Sequence, residues 1–336
     1  MLWFSLFLAL VGPVSEVRLD NKGRYLGPLG SSMVYLNHDG TYMAATSYQL
    51  WHWDGQGRII NVIGEKGEGP GEFRHVGEVL WTGSHYWIVD GQLLRSSVFD
   101  EEGKYLSRSD VFFRQFVPVE NRMFVLDLSR FRMFERVYPP SLREIEYQIT
   151  EAGDLNVNKT DLFFRKMTPA QADFRGNFKL LWVVRDRNRL LIMDQLEPKM
   201  QIYDPATIER EHNVSDEDAF EPSFVPVQLS RFVKAKGSMP RTRSHRDYVH
   251  WWYAWSRINY FGRLGKDLVV CYSIPIEGDP ESEKQVVQRV GFDGRAIGKP
   301  LVLDGLMMGV VDERVYVFYE DEDREDFTYF VRAFTL

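Results

Sequence analysis

Gly64-Glu-Lys-Gly-Glu-Gly-Pro-Gly-Glu-Phe73 opens the stretch that decides the fold, and the pattern it starts runs on to Leu106. The segment is rich in Gly and Pro, so it breaks regular structure and reads as a linker. Behind it, residues 76–81 alternate as a strand, Gly83-Ser84 turns the chain, and Tyr86-Trp-Ile-Val-Asp90 reads as a second strand. Residues 93–99 make a third strand, Asp100-Glu-Glu-Gly103 a tight turn, and Lys104-Tyr-Leu106 begins a fourth. Four short antiparallel strands at this spacing constitute one blade of a propeller.

The same skeleton recurs about every 40 residues, the period expected of propeller blades. It predicts a first blade from 33–36, 42–45, 50–53 and 58–63, with Asp54-Gly-Gln-Gly57 as its last turn. A third uses 116–119, 123–127, 133–137 and 144–149; a fourth uses 178–184, 190–194, 200–203 and 208–212. A fifth takes 258–261, 268–272, 285–292 and 296–301. The C-terminal segment supplies only three strands, 305–311, 314–319 and 327–334, so the fourth must come from the N-terminus, at 16–19 or 24–26. Sharing one blade between the termini closes the ring and removes an exposed sheet edge. The expectation is an all-β, six-bladed propeller over residues 16–336. Its blades are four-stranded and antiparallel, and a long loop is inserted near 214–250.

The stretch 64–106 resembles the NHL repeat. The likeness rests on the Gly67, Gly69, Pro70, Gly71, Glu72, Phe73 lead-in, then Trp87-Ile-Val-Asp90, Arg95, and a Val98-Phe99-Asp100-x-x-Gly103 turn. The resemblance implies a six-bladed propeller of the kind found in bacteria. It assigns no chemistry, because that scaffold hosts lyases, lactonases and binding modules alike.

The composition is that of a folded chain: 44% apolar and 14% aromatic residues supply a large core. A net charge of −7 gives no general attraction to nucleic acid or an anionic membrane. Residues 1–15 begin with an apolar run too short to span a bilayer, which reads as a signal peptide or as a first core strand. The signal-peptide reading places the protein in the periplasm or outside the cell, as a monomer. The one cysteine, Cys271, lies in an apolar strand, so neither an intramolecular disulfide nor a lipid anchor on a cysteine near the signal is expected.

Candidate sites are few. No nucleophile elbow, paired-carboxylate pattern or Cys–His pair is present, so no catalytic residue is assigned. No cofactor is implied, and the seven histidines lack metal-ligand spacing apart from His245 and His250, which fall in an irregular loop, so no metal site is assigned either. Asp90, Asp127 and Asp194 end equivalent strands; such carboxylates cap the following turn, or ring one face to hold calcium. Arginine recurs just before the innermost strand, at Arg74, Arg114, Arg175 and Arg257. These four would converge at the mouth of the central channel and hold an anion bidentately, unless each pairs with a carboxylate or ring of its own blade. The basic stretch Lys234, Lys236, Arg241, Arg243, Arg246 precedes His250-Trp-Trp-Tyr-Ala-Trp255, a combination that grips a glycan or a nucleic acid strand unless the aromatics pack the fifth blade and the loop is solvated; the acidic net charge speaks against nucleic acid. The functional expectation is therefore a non-catalytic binding propeller for an anionic ligand, a glycan or a protein. Its rival is a metal-dependent propeller enzyme of the lyase or lactonase type.

Overall fold

In the computed structural model the strands assemble into six four-stranded antiparallel sheets arranged as a propeller. The structure describes residues 13–27, 29, 33–109, 116–119, 122–127, 141–164, 181–187, 189–195, 197–203, 223–234, 244–321 and 327–336. Blade two is built from Val76–Trp81, His85–Asp90, Arg95–Asp100 and Tyr105–Ser109, innermost strand first. Blade one uses Val34–Leu36, Tyr42–Ala45, Leu50–Trp53 and Ile59–Ile63; blade five uses Arg257–Leu264, Asp267–Ile276, Asp279–Val290 and Ala296–Leu303. Blade six combines Leu306–Val311, Arg314–Asp321 and Thr328–Thr335 with the N-terminal strand Ser15–Leu19 as its outer strand. Ser15–Leu19 pairs along its whole length with Tyr329–Ala333, so both termini close the ring, the earlier of the two N-terminal candidates doing so.

Blades three and four depart from the expected strand assignment. Blade three contains Phe116–Val119, Arg122–Asp127, Ser141–Ile149 and Leu155–Phe164. The stretch expected as its fourth strand is thus the third, and the expected third, 133–137, lies outside the described residues. Thr150-Glu-Ala-Gly153 is the turn between the last two strands, and Thr150 Oγ1 accepts from Asp154 N (3.0 Å) in the manner of an Asp. Blade four contains Leu181–Asp186, Arg189–Asp194, Lys199–Tyr203 and Ser223–Pro226; the expected outer strand, 208–212, lies outside the described residues. Where one long loop was expected over 214–250, the chain forms that outer strand and a helix, α1 (His245–Tyr253). Ser244 caps the helix by accepting from Asp247 N (3.3 Å), the local side-chain bond that starts helices.

Packing explains why the strands read as nearly continuous apolar runs. In Asp267–Ile276, Leu268, Val270 and Tyr272 face blade four, where they join Val184, Leu191, Met193 and Met200. Val269 and Cys271, one residue out of phase, face blade six and join Met307, Val315, Val317 and Phe334. Each blade is therefore covered on both faces, and both phases of the period-2 pattern are apolar.

Two local devices set the blades in place. In the lead-in, the Glu72 carboxylate turns inward and accepts from the backbone N–H groups of Glu68 (2.8 Å) and Gly69 (2.7 Å). A Cβ at Gly67 would stand 2.0 Å from that carboxylate, so the loop closes around it only with glycine there. The buried Arg95 then donates to the Gly69 and Glu72 carbonyls, which gives the Arg of the NHL-like pattern a structural task.

The second device is a latch between neighbours. The turns 54–57, 100–103, 150–153 and 291–294 each join a blade's third and fourth strands and end on a glycine whose N–H bonds back to the turn's first carbonyl. Each turn tucks beneath the preceding blade's outer strand. The Gly57 carbonyl accepts from Asp20 N, and the Gly294 carbonyl accepts from Gln228 N, both at 2.8 Å. Gly153 O accepts from Ser107 Oγ (2.5 Å), and Asn61 Nδ2 donates to Glu101 O (2.7 Å). Gly57 has φ +81, and a Cβ there would lie 2.0 Å from Arg18 O; Gly40 has φ +78 with nothing within 4 Å. Gly57→Ala is expected to cost about 3 kcal/mol or more, against about 1–2 kcal/mol for Gly40→Ala, where only backbone strain acts. Urea unfolding of the two variants measures the difference. Equal losses would mean that the latch contact does not hold the blades.

Candidate functional site

At the junction of blades four and five the latch leaves an open cavity. Beyond Ser223–Pro226 the chain is pinned twice, by Val227 N to Pro198 O and by Gln228 N to Gly294 O, each 2.8 Å. It then turns at Ser230–Arg231, where Arg231 takes φ 59, and crosses blade five. The Tyr272 hydroxyl donates to Ser230 O (2.8 Å), Phe232 packs on the Tyr272 ring at 5.8 Å, and Val233 and Ser256 exchange two hydrogen bonds. Burial raises the Tyr272 pKa well above its ordinary value, which keeps that hydroxyl a donor.

The space framed by this crossing is about 640 Å³, within the range of small-molecule sites. Its apolar walls are Pro198, Val227, Leu229 and Phe232; Gln228 and Ser230 add polar groups. Two cations border it. Lys199 Nζ lies 3.1 Å from Glu197 and over the exposed Phe224 ring, whereas Lys234 is exposed and has no ion pair among the described residues. A smaller depression of about 380 Å³ occupies the equivalent place between blades six and one, lined by Arg18, Asp20, Asn21, Gln56 and Arg58. There Arg58 is engaged by Asp54 at 2.7 Å.

The four arginines fare differently. Arg74 is exposed and its guanidinium pairs with Glu68. Arg257 is only 3% exposed, pairs with Glu283, and lies over the Tyr253 and Trp255 rings at 5.4 and 5.9 Å. Arg114 and Arg175 lie outside the described residues. The two described guanidinium groups are thus each bonded to a carboxylate of the chain. Their backbone N–H groups explain the polar residue toward the end of the second strand: Arg74 N donates to Asp90 Oδ2 (2.7 Å), and Arg257 N donates to Ser273 Oγ (3.2 Å). Asp90 Oδ1 also accepts from Gln92 N and Leu93 N, both 2.8 Å, so this carboxylate ties two strand ends together. The side chains of Asp127 and Asp194 lie outside the described residues. Among the described residues no three His, Cys, Asp or Glu side chains come together as a metal site.

Near the centre, the inner strands of blades five, six and one meet through Tyr260, Gly309 and Leu36. A Cβ at Gly309 would stand 3.3 Å from Leu36 and 3.9 Å from the Tyr260 ring. Burial pushes the Tyr260 pKa up to about 12.

One buried titratable group was not singled out by the sequence. His52, 1% exposed, lies between blades one and two, edge-on to the Trp81 and Tyr86 rings. Asn61 Nδ2 donates to Tyr86 Oη (2.8 Å), and the tyrosine hydroxyl lies 2.6 Å from His52 Nδ1, which in the neutral imidazole protonated on Nε2 accepts its proton. His52 Nε2–H then donates to Thr41 Oγ1 (2.8 Å), and Thr41 donates to Asp39 (2.6 Å). A neutral imidazole completes this chain. Burial, partly offset by the Asp39 charge, lowers the His52 pKa to about 4.

A histidine depressed from 6.5 to about 4 contributes its full stability above pH 6.5 and loses it as pH falls toward 4. The loss across that window is on the order of 3 kcal/mol. His52→Gln should flatten the pH dependence of stability between pH 4.5 and 6.5, as read by denaturant unfolding. An unchanged slope would contradict this.

No protein-family model matches the chain, and no curated protein matches it. Solved structures do resemble it. A member of the DUF4221 family from Bacteroides vulgatus aligns with a TM-score of 0.51 at 10% identity, over 96% of this chain and 97% of that one. A putative exported protein from Bacteroides fragilis aligns with a TM-score of 0.51 at 12% identity, over 96% and 94%. At such identity the likeness establishes the fold alone. No helix among the described residues is long and apolar enough to cross a membrane.

Proposed function

We propose that this chain is a non-catalytic binding propeller, exported to the periplasm or cell surface, whose ligand occupies the cavity between blades four and five. The cavity itself carries the reading. It combines apolar walls with a few polar groups and an unpaired cation (among the described residues) on a rigid support, the arrangement expected of a binding site. Export is supported by the apolar run within residues 1–15 and by the fold shared with a putative exported protein. The NHL-like lead-in of blade two is in keeping with a scaffold role, since its Glu72 and Arg95 are occupied within the blade. No observation on the described residues favours the metal-enzyme alternative.

Thermal unfolding against a panel of alkyl carboxylates, acidic sugars, neutral oligosaccharides and divalent metals tests the reading, because a ligand bound only by the folded state raises Tm. At least one class should raise Tm by several degrees. Ser230→Trp and Ala296→Trp, both at exposed lining positions, should fill the cavity and abolish that rise while leaving the far-ultraviolet spectrum unchanged. A shift insensitive to both variants, or no shift with any class, would contradict it.

A further inference from the structure

We infer that the cavity between blades four and five takes a small organic monocarboxylate with an apolar body, its carboxylate meeting Lys234. The inference rests on the binding reading above and names the ligand class. Three observations converge on it. First, the walls are aliphatic in the main: Pro198, Val227 and Leu229, with Phe232 held half-buried against Tyr272 rather than presented as a flat platform. With Glu197 and Lys199 paired to each other, the uncharged hydrogen-bonding side chains of the lining are Gln228 and Ser230, few for a neutral saccharide, whereas an alkyl chain needs none. Second, the charge available to a ligand is a single cation. Glu197 engages Lys199, so Lys234 alone among the described lining residues is left to a carboxylate. Third, residues 227–234, which frame the cavity, contain Arg231 and Lys234 and no carboxylate, on a chain of net charge −7. A segment of one sign draws anions toward itself and disfavours cations.

The affinity should divide accordingly. Each methylene buried against the walls strengthens binding about fourfold. The carboxylate contributes a further factor of roughly three to five, since an exposed ion pair is worth little in water.

Isothermal titration calorimetry of the full chain with butyrate, hexanoate, octanoate and the matching primary alcohols tests the inference. Affinity should rise with chain length for both series, with octanoate at least about threefold tighter than octanol at low salt. Lys234→Gln should erase the difference between octanoate and octanol while leaving octanol binding intact; Lys104→Gln, in blade two, should leave the difference unchanged. Equal binding of acid and alcohol by the native chain would overturn the inference, as would retention of the difference in Lys234→Gln. If instead acidic or neutral oligosaccharides raise Tm in a manner abolished by Ser230→Trp while no carboxylate binds, the ligand class falls and the cavity's binding role stands.

Discussion

The carbonyl presented by the turn before a blade's outer strand, that of a glycine at three of the four described junctions, is the contact on which the rest of the structure depends. A propeller blade is covered on both faces by its neighbours, so apolar burial alone would let adjacent sheets slide over one another. The latch removes that freedom with a directional bond at a defined point: Asp20 N to Gly57 O at one junction and Gln228 N to Gly294 O at another. Both approaches need a residue without a Cβ. A side chain at Gly294 would meet Pro226 O at 2.1 Å, as one at Gly57 would meet Arg18 O at 2.0 Å. The same geometry that locks the sheets also leaves a gap beside each of these two latches, and one of those gaps is the candidate site.

Electrostatics in the interior follow the same economy. Arg95, Glu72, Asp90 and Ser273 bond mainly to backbone groups and join strand ends, while Arg257 is buried with its own carboxylate and two aromatic rings. Removing one member of such a pair leaves a charge without compensation, which is why these groups act as fasteners rather than free ligands. His52 belongs with them. Its neutral state completes an oriented chain from Asn61 to Asp39, and the cost of charging it couples the junction of blades one and two to pH.

Much of the fold was legible because its determinants are local. Asp-x-x-Gly turns, alternating strands and the Gly-Pro lead-in each act within about ten residues, and they repeat. The outer strand of blade three escaped because Thr150 replaces the turn Asp while doing the same work through Oγ1. α1 escaped because its capping pair, Ser244 and Asp247, sits among basic residues that read as a solvated loop. The candidate site was illegible for a different reason. Lys199, Gln228 and Ala296 come from three separate strand ends and meet only because the latch brings blade four's outer edge onto blade five. The arginines, by contrast, were easy to see in the sequence, but only the structure shows Arg74 and Arg257 already paired with Glu68 and Glu283.

Amide hydrogen exchange of the native chain, with and without saturating octanoate, tests the central claim most directly. Occupation of the cavity should slow exchange over residues 227–234 and leave residues 18–24, at the equivalent junction between blades six and one, unchanged. Protection that appears at residues 18–24, or that leaves 227–234 untouched, would contradict a binding site built on the blade-four/five latch.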